Sequence, residues 1–203
     1  MSAAAAMIET DIKRIIAYST VSQIGFIFLG LSIDTRVGIA GGLLFILMHG
    51  LAKGGLFLCA GIVEQKTHVK DITKLGGLAS VMPVTAICFI FCSFSIMGIP
   101  PFGGFFSKYM VFKGTIDAGQ TAIALTFMIG AIMTIIYLLR LFVLTFLGPT
   151  QLKGDMNHYR EGSATMVWSV AFLAAASLIA GIFVAWPAEL VNSTINQMMG
   201  IVG

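Results

Sequence analysis

Three basic residues stand inside otherwise apolar stretches: Lys53, Lys108 and Arg140. Lys53 falls near the middle of the apolar window 38–63. A charged lysine at such depth costs about 2.5–3.5 kcal/mol on insertion scales. A lysine in that position can change its protonation state, which is what a proton relay needs. His49 precedes it by four residues, a spacing that brings two side chains together on one helix face. An imidazole and an amine so placed can hand a proton on. The bland reading is a structural lysine that snorkels or bonds to backbone carbonyls, and mid-span placement makes snorkelling difficult.

Lys108 follows Gly98-Ile99-Pro100-Pro101-Phe102-Gly103-Gly104. Two prolines remove backbone donors, so this run cannot be regular helix throughout. Broken backbone at membrane depth is tolerated where it is buried in protein or lines a watery cavity. Lys108 therefore reads equally as a lysine with a route to water or as one beside an ordinary loop. Arg140 stays charged and is a poor proton carrier. Its expected task is to fix a carboxylate or helix ends, or to tune a lysine; Tyr137 stands three residues before it. Tyr18, Ser19, Thr20, Ser22 and Gln23 place hydroxyl and amide groups in the first span, behind a polar cluster that includes Lys13. They could order water or bond across helices.

The elements that must position these groups follow from composition. The chain has 203 residues, of which 58% are hydrophobic and 10% charged. Its mean hydropathy is +0.97. A soluble domain carries about 25% charged residues. Soluble, disordered and collagen-like classes are excluded, and long apolar runs disfavour a membrane β-barrel. An all-α membrane protein remains, a single transmembrane domain over 1–203. The charges cluster between apolar windows at roughly 15–33, 38–63, 79–98, 102–117, 119–147 and 164–186, six segments with one broken by proline. The stretch after Pro187 reads as an interfacial segment or short tail.

Loop charges suggest an orientation. If 102–117 crosses by itself, one side holds Lys13, Arg14, Lys66, Lys70, Lys74 and Lys113, and the other Arg36, Lys153 and Arg160. That puts the N-terminal side in the cytoplasm. Cys59, Cys88 and Cys92 all fall in spans and read as small buried side chains rather than a metal site. No phosphate-binding glycine loop, dinucleotide fingerprint or secretory leader is expected, and nothing suggests a nucleic-acid partner. The glycines are dispersed through the spans, where small residues let helices approach. No catalytic site, cofactor or metal is expected within the chain. No carboxylate lies inside a span beside the lysines, so such a partner is expected on another chain.

Four motifs in order carry a resemblance. Asp11-Ile-Lys-Arg-Ile-Ile-Ala-Tyr-Ser-Thr-Val-Ser-Gln-Ile-Gly25, His49-Gly-Leu-Ala-Lys53-Gly-Gly-Leu-Phe-Leu, Gly98-Ile-Pro-Pro-Phe-Gly-Gly-Phe-Phe-Ser-Lys108 and Tyr137-Leu-Leu-Arg140 with Phe146-Leu-Gly148 resemble signatures of the antiporter-like subunits of respiratory complex I. The same family includes the large subunits of Mrp-type sodium/proton antiporters and the ion-pumping subunits of membrane-bound hydrogenases and formate hydrogenlyases. The resemblance covers about 8–148, with 149–203 read as a loop, a last transmembrane helix and a tail.

It implies a five-helix repeat of the antiporter-like fold and a proton- or cation/proton-translocating role in an energy-transducing membrane. Lys53 resembles the family's central protonatable lysine, His49 its hydrated relay partner, and Lys108 the terminal lysine that exchanges with one aqueous side. Lys13 resembles a lysine near the link between the halves of such subunits. Tyr18, Ser22, Tyr137 and Arg140 would support them. Family members usually have two inverted repeats, and this chain resembles the C-terminal one only. The first half's glutamate and lysine are missing, Met1–Ile8 resembles the end of a preceding helix, and Phe45 stands where many members have another histidine. A split subunit, with its first half supplied by another chain, is the expectation, or one half of a duplicated pair.

Overall fold

The computed structural model describes residues 1–152 and 159–198, with the side chain of Met198 excepted; Lys153 lies outside them. The described residues form helices and turns. α1 is Ser2–Ile8, α2 Ile12–Ser32, α3 Arg36–Thr67, α4 Pro83–Met97, α5 Gly103–Asp117, α6 Thr121–Phe142, α7 Ala164–Ile182 and α8 Ala185–Met198. α6 runs on through a π turn at Val143–Leu147. Among the described residues four of these helices are long and apolar enough to cross a membrane: α2, α3, α6 with its π turn, and α7. The protein is an integral membrane protein of all-α class. The six expected segments are present as α2 to α7.

Local chemistry sets the ends. Asp11 caps α2 by accepting from the N–H groups of Lys13 (2.9 Å) and Arg14 (3.1 Å). Thr35 caps α3 by accepting from Gly38 N–H at 3.2 Å. α4 begins on Pro83 and is capped from a distance. Glu161 accepts from the N–H groups of Val84 (2.7 Å) and Thr85 (3.1 Å), and from the Thr85 hydroxyl (2.5 Å). α4 ends at Gly98, whose φ of 82° is the left-handed conformation glycine favours at a helix C-terminus. Pro100–Pro101 is cis.

α3 is the central helix, packed against α2, α4, α5, α7 and α8. Its glycines permit this, since lipid offers no hydrophobic drive between helices and close van der Waals packing must hold them. A Cβ at Gly41 would meet the backbone of Val111 on α5, and one at Gly114 would meet Gly38. These contacts fix the chain's direction. α2 runs from the first end, where Lys13 meets Glu64, to the opposite end, where Gly30 meets Gly38. α3 returns. α4 starts at the first end beside Cys59, whose thiol faces the Thr85 carbonyl at 3.7 Å. α5 continues in the same direction, with Gly103 beside Met48 and Gly114 beside Gly38.

α4 and α5 are therefore one crossing, broken at its middle. This corrects the charge count, which treated 102–117 as crossing by itself. Lys113 belongs to the opposite end and Arg160 to the first. Among the described connectors and helix ends, Lys13, Arg14, Lys66, Lys70, Lys74 and Arg160 lie at the first end, and Arg36 and Lys113 at the other. The positive bias becomes stronger and keeps its sign. α7 passes from the first end to the level of the break, where Gly181 packs on Pro101–Gly103. α8 then reaches the opposite end, where Arg36 Nη2 donates to Asn196 Oδ1 at 2.5 Å and Ile195 is buried.

Candidate functional site

The break in α4–α5 and the middle of α3 lie side by side, and the site is built on them. Lys53 is 5% exposed and Lys108 6%. Neither snorkels. The Lys53 ammonium crosses to α2, donating to the Ile16 carbonyl at 2.9 Å and to the Ser19 hydroxyl. A hydrogen bond to a charged group contributes about 1.5–3 kcal/mol. Two such bonds offset the insertion cost of the lysine in whole or large part.

Lys108 sits one turn into α5 and reaches back across the break. Its amine donates to the carbonyls of Ile96 (2.7 Å) and Met97 (3.4 Å), in the last turn of α4. The break leaves those carbonyls without helical donors, which gives the lysine its seat. The rings of Phe26 and Phe45 lie 5.6 Å and 5.9 Å from its Nζ, within cation–π range. Lys108 is thus a buried lysine of the broken helix, not a loop lysine at the interface.

His49 lies between them. Its ring is buried, both nitrogens lack a hydrogen-bond partner, and Phe45 meets it edge-on at 6.1 Å. The charges of Lys53 and Lys108 both reach it. The four-residue spacing does place His49 and Lys53 on one face, but no bond joins them; the amine has turned to α2. Unpaired buried nitrogens suit bridging water, which needs several polar partners.

Lys13 stays at the first end. It is half-exposed and ion-paired with Glu64 at 2.6 Å, and Lys70 shares that carboxylate at 3.3 Å. Between this pair and Lys53 the buried side chains are apolar, including Ile12, Ile15, Leu56, Ala60 and Val63. No carboxylate among the described residues is buried. Arg140 does hold a helix end: its Nη1 donates to the carbonyls of Met7 (2.9 Å) and Glu9 (3.0 Å) and anchors α1.

The polar run of α2 divides by helix face. Tyr18 is exposed, and Ser22 lies in an outer groove with Val21, Gly25 and Ile123. Of this polar run, Ser19 and Gln23 are the two side chains fully buried in the bundle, one position on from Tyr18 and Ser22. Gln23 Nε2 donates to Thr134 Oγ1 at 3.0 Å, and Thr134 donates to the Gly130 carbonyl at 2.8 Å. Tyr137 is buried against Ser19, Gln23 and Thr134. Thr134 escaped the sequence reading, although its i, i+3 spacing to Tyr137 on an apolar helix was the available signal.

The profile of the family described as NADH:quinone oxidoreductase/Mrp antiporter, TM, matches residues 1–134. NADH-quinone oxidoreductase subunit N of Desulforudis audaxviator (strain MP104C) is 37% identical over 135 residues, which is 66% of this chain and 27% of that one. F(420)H(2) dehydrogenase subunit N of Methanosarcina mazei is 31% identical over 208 residues, 97% of this chain and 41% of that one. Among solved structures, a chain of the Mrp complex from Dietzia sp. DQ12-45-1b superposes with a TM-score of 0.88 at 25% identity, covering 96% of this chain and 44% of that chain. The chain spans less than half the length of the curated relatives it matches. It belongs to the NADH:quinone oxidoreductase/Mrp antiporter transmembrane family.

Proposed function

We propose that the chain is an ion-translocating membrane subunit of a redox-driven complex, such as a membrane-bound hydrogenase or a complex I-like quinone oxidoreductase. The observation that carries this is the trio Lys53, His49 and Lys108, buried together at a helix break with both imidazole nitrogens unpartnered. A scaffold has no reason to bear the burial cost of two lysines. The names of the relatives, a NADH-quinone oxidoreductase subunit and a F(420)H(2) dehydrogenase subunit, support the redox-driven form.

In this reading Lys53 gains and loses a proton as neighbouring charges move. His49 and bound water connect it toward Lys108, and Lys108 exchanges with one aqueous side. Lys13, paired with Glu64, stands where a neighbouring half-channel would join. Other membrane subunits complete the path, and the carboxylate partner of the lysines comes from outside the described residues. The energy comes from electron transfer in partner subunits. The likeness to the Mrp complex favours a second reading, a subunit of a standalone sodium/proton antiporter driven by an ion gradient. Copurification separates the two by the partner chains it recovers.

The test is Lys53→Ala in the assembled complex. Coupled ion movement is expected to be lost while the complex still assembles; transport at the normal rate would overturn the central role of Lys53.

A further inference from the structure

We propose that Ser19 is a positioning residue for Lys53: it holds the amine at a station on α2, turned away from His49, and so sets when Lys53 can act toward Lys108. The proposal rests on the translocating reading above and adds a second position for the lysine to it.

The geometry carries it. Lys53 and His49 share one turn of α3, yet the amine crosses to α2 and leaves both imidazole nitrogens unpartnered. Of its two acceptors, the Ile16 carbonyl is shared, since the Thr20 hydroxyl also donates to it at 2.9 Å. The Ser19 hydroxyl accepts from Lys53 and has the Tyr137 hydroxyl beside it. Behind Ser19 stand the Tyr137 hydroxyl, packed against Ser19, Gln23 and Thr134, and the buried Gln23 Oε1, which has no hydrogen-bond partner. Either can take the serine's proton and orient its lone pair toward the lysine. Gln23 is itself fixed through Thr134 to α6. An amide does not titrate, so Gln23 orients and does not carry.

Lys53 therefore has two seats. One is the α2 seat it occupies. The other is the unpartnered imidazole one turn back, which a lysine side chain reaches at i, i−4 spacing. An amine on α2 makes no hydrogen bond toward His49 or Lys108, and an amine at His49 would bond to the group that has Lys108 as its other charged neighbour. Among the described residues, the charged and titratable groups facing Lys53 are His49 on α3 and Lys108 on α5. α6 contributes Tyr137 behind Ser19, and its Arg140 is turned to the end of α1. α4 brings the Cys92 thiol against Gly55, and the buried polar side chains of α4 and α7 include the neutral Ser93, Ser95 and Ser177.

The experiment measures proton uptake against pH in sealed vesicles holding the intact complex, for wild type, Ser19→Ala, Ser19→Thr and Lys53→Ala. Ser19→Ala removes one of two acceptors of the ammonium form. The alkaline limb of its profile is expected to move to lower pH by about one unit. Ser19→Thr restores the hydroxyl and the wild-type profile. If Ser19→Ala does not assemble, Ser19→Cys, similar in shape but a poor acceptor, carries the same comparison. A profile of Ser19→Ala or Ser19→Cys that superimposes on wild type, or a Ser19→Thr profile displaced as far as theirs, overturns the positioning role. An inactive Lys53→Ala beside an unshifted Ser19 variant removes this proposal alone. An active Lys53→Ala removes the translocating reading with it.

Discussion

Replacing Lys108 by methionine tests whether the lysine also holds the broken helix together. The substitution keeps length and bulk and removes the three N–H donors. Two carbonyls at the end of α4, those of Ile96 and Met97, then lose their side-chain donor. An unpaired buried acceptor costs about 1–3 kcal/mol, and no water from the lipid side can replace the donor. The Met97 contact, at 3.4 Å, is long and adds little. The local stability of the break should fall by about 2–3 kcal/mol, most of it from Ile96. Hydrogen exchange of the assembled complex in lipid reads this directly. The amides of Gly98, Ile99 and Phe102, which close the break by bonding to Phe94 and Ile99 carbonyls, should exchange about 30- to 160-fold faster in Lys108→Met. Lys108→Arg keeps donors in reach and should recover most of the protection. Wild-type exchange in Lys108→Met would refute the reasoning, because the carbonyls would then have found other partners. The result also governs how a transport defect in Lys108→Ala is read, since only the part not shared with a weakened break belongs to proton exchange.

Arg140→Ala should release α1 by removing the two bonds to Met7 and Glu9. Exchange or proteolysis over 2–9 should increase with α2–α5 unaffected, and unchanged protection there would show that packing of Ala3 and Ala6 alone holds α1. Asp71 supplies a pH dependence outside the spans. Bonds from the Thr73 hydroxyl and N–H hold its carboxyl below the usual range. That contribution is present above the ordinary carboxylate value and is lost as pH falls through the depressed one. Asp71→Asn should therefore open the Ile72–Lys74 turn at neutral pH, and its difference from wild type should shrink as pH falls below the ordinary carboxylate value and vanish below the depressed one, as read by proteolysis of that loop as pH is lowered from neutral.

The helices were legible because apolar windows bounded by charge have one solution in a bilayer. Lys53, Lys108 and Arg140 were legible because each is a costly exception within such a window. For Arg140 the sequence left a carboxylate, helix ends or a lysine as the partner, and its guanidinium bonds to carbonyls at the end of α1. Direction was not legible. Gly98–Gly104 reads as a connector between two crossings as readily as a break within one, and only the pairing of Gly103 with Met48 and Gly114 with Gly38 decides. The same holds for Tyr18 and Ser22 against Ser19 and Gln23. Adjacent polar residues on a helix point about 100° apart, so which pair faces the bundle depends on the rotation of α2 against α3. Glu161 at the start of α4 was out of reach for another reason: a cap supplied from 77 residues away leaves no local pattern.

The single crossing made by α4 and α5 has a consequence in parity. From the start of α2 to the end of α8 the chain traverses the bundle an odd number of times, so those two points stand at opposite ends. An odd unit cannot be repeated in tandem in the same sense. Each further copy joined directly to it must be threaded upside down, and two copies can face each other only across an axis lying in the plane of the membrane. Had α5 turned back at Pro100–Pro101, the count would be even and consecutive copies would stand alike. Two prolines and the glycines beside them thus decide the sense in which such units can be joined.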